Sequence, residues 1–193
     1  MTVDITSFPS ITSVIRMDHT HVLAVFHRYH ARTPWWRKRA IVELACTALE
    51  IHAQLEEEIF YRALGEVMAG DERLAKSKPE HDAMREELAK LRAMGPRDAA
   101  YDARFMQLLR EVMHHFADEE TVLLPTAERA LTSQLSELGM RMTKRRMQLI
   151  SRHRPSAIAA NTIGTFPLAP LAVMSLRALA IVHCLRPAGA RRF

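Results

Sequence analysis

Apolar residues recur every three to four positions along most of this chain, and proline and glycine interrupt them at Pro34, Gly70 and Gly95-Pro96. Such spacing places the apolar side chains on one face of an α-helix, and the interruptions end each helix. The predicted helices span residues 10–32, 37 to about 68, about 79–94, and 97 or 98 to about 130. Because short connections make successive helices antiparallel neighbours, the sequence predicts an all-α fold. We expect an antiparallel up-down-up-down four-helix bundle over residues 10–131.

A fifth, more basic helix is predicted from residue 132 or 133 to residue 150. Its apolar and basic residues fall on opposite sides. The apolar side carries Leu135, Leu138, Met142 and Leu149, and the basic side carries Arg141, Lys144, Arg145 and Arg146. We assign residues 132–154 to this extra helix and residues 155–193 to an apolar and basic C-terminal tail.

Pro125 lies late in the fourth predicted helix. Because proline has no N–H group and its ring crowds the preceding turn, it is expected to kink the helix or to leave the carbonyl of Thr121 unpaired.

Two halves of the chain repeat one pattern of histidines and acids. Each half has a histidine that directly follows an acid, and then a His-x-x-x-Glu pair. The members are Asp18-His19, His52 and Glu56 in the first half, and Glu80-His81, His115 and Glu119 in the second. The two gaps between the histidines are 33 and 34 residues, and acids and apolar residues follow both pairs in the same order. One site built from four helices explains this repetition economically.

Positions four apart lie on the same face of a helix, so each His-x-x-x-Glu pair offers an imidazole nitrogen and a carboxylate to one point. With the histidines from the other two helices, the predicted ligands of a metal site are His19, His52, Glu56, His81, His115 and Glu119. Four imidazoles and two shared carboxylates suit two divalent ions, and this donor set favours iron or manganese over a thiolate-type zinc site. The competing interpretation is a metal-free bundle in which the pairs are surface ion pairs.

Other polar residues near the repeat are candidates of lower rank. His114 has Asp118 four residues on and is an alternative to His115. The histidines without a counterpart in the second half are interpreted as surface or core residues: His21, His27 and His30. The remaining acids of the runs, Glu57, Glu58 and Glu120, are expected to be solvated or to orient the histidines. Two roles stay open together for four apolar and aromatic residues, which are expected in the bundle core and could also line an oxygen pocket: Phe60, Tyr61, Leu123 and Leu124.

The net charge of +5 hides a strong segregation of charge. Residues 1–137 hold 17 basic and 22 acidic residues, whereas residues 138–193 hold 10 basic residues and no acid. An acidic body suits cation binding, and a basic tail suits phosphate-bearing partners. Nucleic acid is not expected as a partner, because no aromatic interleaving accompanies the arginines.

The N-terminus lacks the layout of a secretion signal, and Cys46 and Cys184 are too few for a disulfide framework, so a cytoplasmic location is expected. Residues 157–176 form a twenty-residue stretch without charge, which is long enough to cross a bilayer but is interrupted by proline and glycine. Three interpretations of the tail stay open: membrane association, a helix that covers the bundle or a partner, and disorder.

The motifs Asp18-His19, His52-Ala-Gln-Leu-Glu56, Glu80-His81-Asp and His115-x-x-x-Glu119, the last ending in Leu-Leu-Pro125, resemble those of the hemerythrin-like family, also called HHE cation-binding domains. The resemblance runs from about residue 14 to 125, and residues 133–150 are similar to an extra helix of bacterial members. It implies a four-helix bundle with a non-haem di-iron centre. It also implies dioxygen binding or sensing, defence against peroxide and nitric oxide with an unidentified reductant, or iron sensing.

Two departures from the oxygen-carrying members alter this expectation. Arg85 stands where those proteins have a second histidine in the third helix, and Glu119 lies four residues after the last histidine where they have an aspartate at five. A missing imidazole opens one iron and places a guanidinium nearby, which favours reactive or sensory chemistry over reversible oxygen carriage. On this interpretation Glu56 and Glu119 bridge the two irons and the four histidines complete the ligand set. The alternatives are an iron-responsive regulatory or interaction module without turnover, and a metal-free tethering module.

Overall fold

The computed structural model describes residues 8–152, and every regular element in that part of the chain is helical. The elements are α1 (Ile11–His27), α2 (Trp35–Leu55), π1 (Glu56–Phe60), α3 (Tyr61–Val67), α4 (Glu72–Ala93), α5 (Tyr101–Asp118), π2 (Glu119–Leu123), α6 (Leu124–Ala130) and α7 (Leu135–Arg152). Segments α2, π1 and α3 are continuous, as are α5, π2 and α6. The all-α prediction is confirmed, and the up-down-up-down order stays a prediction. The predicted tail, residues 155–193, lies outside the described residues.

The predicted helix boundaries differ most from the structure at the start of the third helix and at the end of the first. The third helix begins at Glu72, seven residues before Pro79, because the Asp71 side chain accepts the N–H of Arg73 and caps the helix there. The first helix ends at His27, five residues before the predicted end at Arg32. At this end the N–H groups of Arg28 and Tyr29 donate hydrogen bonds to the carbonyls three residues before them, instead of four as in an α-helix. Gly70 has a φ of 81° and closes the segment after α3, as predicted.

Each long helix that carries a His-x-x-x-Glu pair contains one π-helical turn, which begins at the glutamate of the pair. The N–H of Tyr61 bonds to the carbonyl of Glu56, and the N–H of Leu124 bonds to the carbonyl of Glu119. The segment π2 lies just before Pro125, whereas the predicted kink or unpaired carbonyl of Thr121 stays a prediction. Proline is not the general cause of these π turns, since Arg62 occupies the equivalent position after π1. Such single π turns often occur at functional sites.

Two clusters of buried apolar side chains lie on either side of the predicted ligands. One includes Val22, Leu49 and Phe105, and the other includes Ile15, Leu55 and Leu124. The predicted ligands His19 and His52 fall between the clusters in sequence on both α1 and α2. Polar side chains at this level of the core therefore interrupt an otherwise apolar interior.

Helix α7 packs against α1 and α2 through Leu138, Met142 and Leu149, as its apolar pattern predicts. The prediction that Arg145 and Arg146 lie on the side of α7 opposite its apolar residues is wrong, because both guanidinium groups form ion pairs with acids of the bundle. Long arginine stems can cover apolar surface while their heads reach acids at its edge. None of the helices between residues 8 and 152 is long and apolar enough to cross a membrane.

Candidate metal centre

The structure brings all six predicted ligands together in the interior of the bundle. His19 comes from α1, His52 from α2, His81 from α4 and His115 from α5, while Glu56 and Glu119 are the first residues of π1 and π2. Each of the six is at most 9% exposed, and Glu56 is fully buried. Buried ionisable groups are rare unless they are paired or bind a metal, so this cluster needs a chemical explanation.

The six side chains form two overlapping groups whose donor atoms lie within 4.8 Å of one another. The first group contains His19, His52, Glu56 and Glu119, and the second contains Glu56, His81 and His115. Glu56 is shared by both groups. Glu119 also approaches the second group, since its Oε2 lies 3.5 Å from Nε2 of His115.

The Nε2 atoms of the four histidines face the carboxylates at the centre. His19 Nε2 lies 3.2 Å from Oε2 of Glu119, and His52 Nε2 lies 3.2 Å from Oε2 of Glu56. His81 Nε2 lies 3.0 Å from Nε2 of His115. Two neutral imidazole nitrogens at this distance need a shared proton, whereas a cation between them would satisfy both lone pairs.

Several buried atoms of the cluster lack a partner in the metal-free protein. Both ring nitrogens of His52 and Oε1 of Glu56 have no hydrogen bond among the residues that the structure describes. A buried polar atom without a partner costs about 1 to 3 kcal/mol. Metal ions at the centre would provide partners for Nε2 of His52 and Oε1 of Glu56, so the residues present fit a cation site.

A carboxylate stands behind each histidine, on the side of Nδ1. Glu120 lies 2.7 Å from Nδ1 of His19, Glu57 lies 3.1 Å from that of His81, and Glu80 lies 2.8 Å from that of His115. The fourth is Asp18, whose Oδ2 is 3.8 Å from Nδ1 of His52. Such carboxylates fix the ring tautomer so that Nε2 is free to bind a metal. The expectation that Glu57 and Glu120 orient histidines agrees with these contacts, whereas Glu58 instead binds Arg145.

Arg85 does not fill the position of a missing imidazole at the centre. Its Nη1 lies 2.9 Å from Oε1 of Glu57 and 3.0 Å from Oδ1 of Asp82, on the outer side of His81. The guanidinium expected near the centre therefore acts on it through Glu57 and His81.

The Tyr61 hydroxyl group belongs to the site, although the residue was predicted as core. It donates a 2.6 Å hydrogen bond to Oε1 of Glu119, and lies 3.3 Å from Oε2 of Glu56 and 3.5 Å from Nε2 of His81. Burial and the charges of the two glutamates raise the pKa of Tyr61 well above its usual value, so the hydroxyl keeps its proton and donates. The sequence offered no signal for it, because the equivalent residue in the second half is Leu124.

The two central glutamates differ in acidity. Burial and the neighbouring charge of Glu119 raise the pKa of Glu56 well above its ordinary value. Burial also opposes ionisation of Glu119, but the hydrogen bond with His19 and the nearby histidine charges outweigh it and lower the pKa to about 2. Burial lowers the pKa of His52 to about 4, which keeps this imidazole neutral and able to bind a metal at pH 7.

The lower-ranked candidates stay outside the cluster. His114, the alternative to His115, is exposed, as are His27 and His30, while His21 is partly buried. The repeat alignment therefore chose the histidine that faces the interior.

Replacing Tyr61 with phenylalanine is expected to lower the free energy of unfolding of the metal-free protein by about 1.5 to 3 kcal/mol, because the buried Glu119 loses a donor. Urea denaturation in the presence of a chelator measures this. Tyr29→Phe is the control, since its acceptor Asp102 has a 41% exposed side chain and keeps the ammonium of Lys38, so its loss is expected to stay below about 1 kcal/mol. Equal losses in both variants would contradict a role for Tyr61 at the centre.

Known proteins resemble this chain in sequence and in fold. Residues 10–127 match the family model described as Hemerythrin HHE cation binding domain. A crystal structure titled as a Hemerythrin HHE cation binding domain-containing protein from Mycobacterium kansasii superposes with a TM-score of 0.64 at 19% sequence identity, and the match covers 74% of this chain and 88% of that one. At this identity the likeness shows a common fold. No curated protein sequence matches the chain.

Proposed function

Because the chain belongs to the hemerythrin HHE cation-binding family, we propose that it holds two iron ions and binds dioxygen or reacts with peroxide or nitric oxide. The observation that carries the proposal is the pair of overlapping donor groups that share Glu56. A shared carboxylate between two groups of imidazoles is the arrangement expected for two neighbouring ions.

The donor set supports iron, with manganese as the second candidate. It consists of imidazole nitrogens and carboxylate oxygens, with the Tyr61 hydroxyl beside them and no thiolate. Such intermediate and hard donors suit these metals, whereas structural zinc sites are rich in cysteine. Bound ferrous iron would supply electrons for the reduction of dioxygen, peroxide or nitric oxide.

The residues of the chain contribute orientation and exclusion of water. The outer carboxylates Glu57, Glu80 and Glu120 accept the Nδ1 protons and hold the Nε2 atoms toward the centre. The Phe116 ring stacks on His19 with 3.8 Å between ring centroids and covers that ligand from the apolar core. A buried centre of this kind would shield a small bound ligand from bulk water.

The adjacent residues His114 and His115 provide a matched test of the site. His115→Ala is expected to lose the ion held with Glu56 and His81, while His114→Ala, which removes an exposed imidazole, is expected to keep both ions. Iron and manganese content per chain, measured by mass spectrometry after reconstitution, decides this. A wild-type protein that takes up neither metal, or equal metal content in both variants, would contradict the proposal.

Reactivity is tested on the loaded protein. Mixing the ferrous form with dioxygen, hydrogen peroxide or nitric oxide is expected to change its absorption spectrum, and His115→Ala is expected to suppress the change. Sustained consumption of peroxide or nitric oxide would identify an enzyme, whereas binding without turnover would favour the iron-responsive regulatory alternative. The absence of any spectral change with all three molecules would contradict the reactive function.

A further inference from the structure

Arg146 of α7 forms an ion pair with Asp18 through both terminal nitrogens of its guanidinium group. Both side chains are largely buried, at 17% and 8% exposure. Asp18 in turn lies behind His52, at 3.8 Å from its Nδ1. The guanidinium of Arg146 on α7 is therefore linked to the predicted ligand His52 through the carboxylate of Asp18.

His52 is held differently from the other three histidines. Their outer carboxylates lie 2.7 to 3.1 Å from Nδ1, within hydrogen-bond distance. Asp18 stands beyond that distance, and both of its oxygens are bound by Arg146. The position of this carboxylate is consequently set by α7, which lies beyond the family match at residues 10–127.

We propose that Arg146 is a positioning residue of the metal centre, which holds Asp18 behind His52 so that Nε2 of this ring faces Glu56. The metal centre of this chain is then incomplete without α7. The inference rests on the proposed function only in that the centre binds metal, and its first test uses metal-free protein.

The physical argument follows from burial. Without the guanidinium, Asp18 would be a nearly buried carboxylate that has lost its neutralising partner, so its side chain would turn away toward solvent. This movement removes the charge that orients His52, whose ring nitrogens make no hydrogen bond of their own. Loss of a residue behind a metal ligand typically weakens metal binding by about 10- to 100-fold.

Arg145, the preceding residue, supplies a matched control. It also joins α7 to the bundle by an ion pair, with Nε and Nη2 at 2.6 and 2.8 Å from the oxygens of Glu58. Glu58 accepts a further hydrogen bond from Gln54. Among the contacts of residues 8–152, none joins Glu58 to a histidine of the centre. Arg145→Gln therefore removes a comparable interhelical ion pair without touching Asp18.

The first test is the imidazole nitrogen NMR spectrum of the metal-free full-length chain. Arg146→Gln is expected to shift the ring nitrogen resonances of His52, whereas Arg145→Gln is expected to leave them in place. Arg146→Lys, which keeps one charged donor, is expected to shift them less than Arg146→Gln and serves where the glutamine variant does not fold. Unchanged His52 resonances in both Arg146 variants would overturn the proposal.

The second test is the affinity for Co²⁺, measured by its absorption in competition with a chelator. Arg146→Gln is expected to weaken binding about 10- to 100-fold, and Arg145→Gln by less than about threefold, as for a partly exposed ion pair. In an Asp18→Asn background the effect of Arg146→Gln is expected to vanish, because the two residues act in series. Equal weakening by both arginine variants, or full additivity with Asp18→Asn, would overturn the proposal. A wild-type chain that binds no Co²⁺ would instead contradict the proposed function and leave the NMR test decisive.

Discussion

Replacing Glu56 with glutamine is expected to abolish binding of both metal ions. Its carboxylate is the donor that the two groups share, whereas each histidine belongs to one group. An amide keeps the size of the side chain but loses the negative charge and the second strong acceptor that two cations need. Metal content per chain is expected to fall from two ions to none.

The same substitution is expected to stabilise the metal-free protein, on the order of 1 kcal/mol at pH 7. Because the pKa of Glu56 is raised in the folded state, ionisation of this carboxyl weakens the fold at any pH above the value of the unfolded chain, 4.5. Glutamine removes that cost. Near or below about pH 4 both states of the wild-type glutamate are protonated, so the advantage of the variant is expected to disappear there.

Two measurements check this prediction. Urea denaturation of metal-free wild-type and Glu56→Gln protein at pH 7 and at about pH 4 compares the free energies of unfolding, and metal analysis after reconstitution compares the ion content. His19→Ala is the control for metal binding, because it removes a donor of the first group and leaves the second, Glu56, His81 and His115, intact. A Glu56→Gln protein that retains either ion would contradict the shared role of this carboxylate.

The ligand cluster is predictable because the same pattern of ligand residues occurs in both halves of the chain. Each half repeats the spacing of histidines and glutamates, and helical periodicity directs both sets inward. The repeat also carries the outer carboxylates. Asp18 and Glu80, which precede His19 and His81, lie behind the histidine of the His-x-x-x-Glu pair in their own half.

The acids that follow the ligand glutamates lie behind histidines of the opposite half. Glu57 contacts His81, and Glu120 contacts His19. Each half of the chain therefore supplies an outer carboxylate to a histidine of the other half. This explains why the acids after both pairs correspond in the repeat, which the sequence showed without indicating their partners.

The remaining features were not predictable because they depend on tertiary contacts. Tyr61 has an apolar counterpart in the repeat, so comparison of the halves assigns it to the core. Arg146 lies four residues after Met142 and three before Leu149, so helical periodicity places it beside the apolar side of α7, but only the packed structure shows that its partner is Asp18. The sequence places the start of α4 too late, because Pro79 is a more obvious signal for the start of a helix than the Asp71 cap. Only the side chain of Asp71 accepts a free N–H group at the helix start.

Replacing Gly139 with alanine is expected to lower the free energy of unfolding by about 3 kcal/mol or more. A Cβ at this position in α7 would lie 2.0 Å from the carbonyl oxygen of Pro9 and 2.9 Å from the carbonyl carbon of Ser10. These are backbone atoms at the start of α1, where the Ser10 side chain caps the helix by accepting the N–H of Ser13. They cannot move aside without breaking the cap or separating α7 from α1.

Gly65→Ala is the control for this substitution, since Gly65 is also helical and an added Cβ would lie at an ordinary 3.9 Å from Leu74. Alanine favours helix over glycine by up to about 1 kcal/mol, so this variant is expected to be as stable as the wild type or more stable. Urea denaturation gives both free energies, and hydrogen exchange along α7 separates local undocking from global unfolding. Because Arg146 is carried by the same helix, a Gly139→Ala chain that folds is also expected to bind Co²⁺ more weakly. Wild-type stability of Gly139→Ala would contradict the close contact of α7 with α1 on which this coupling depends.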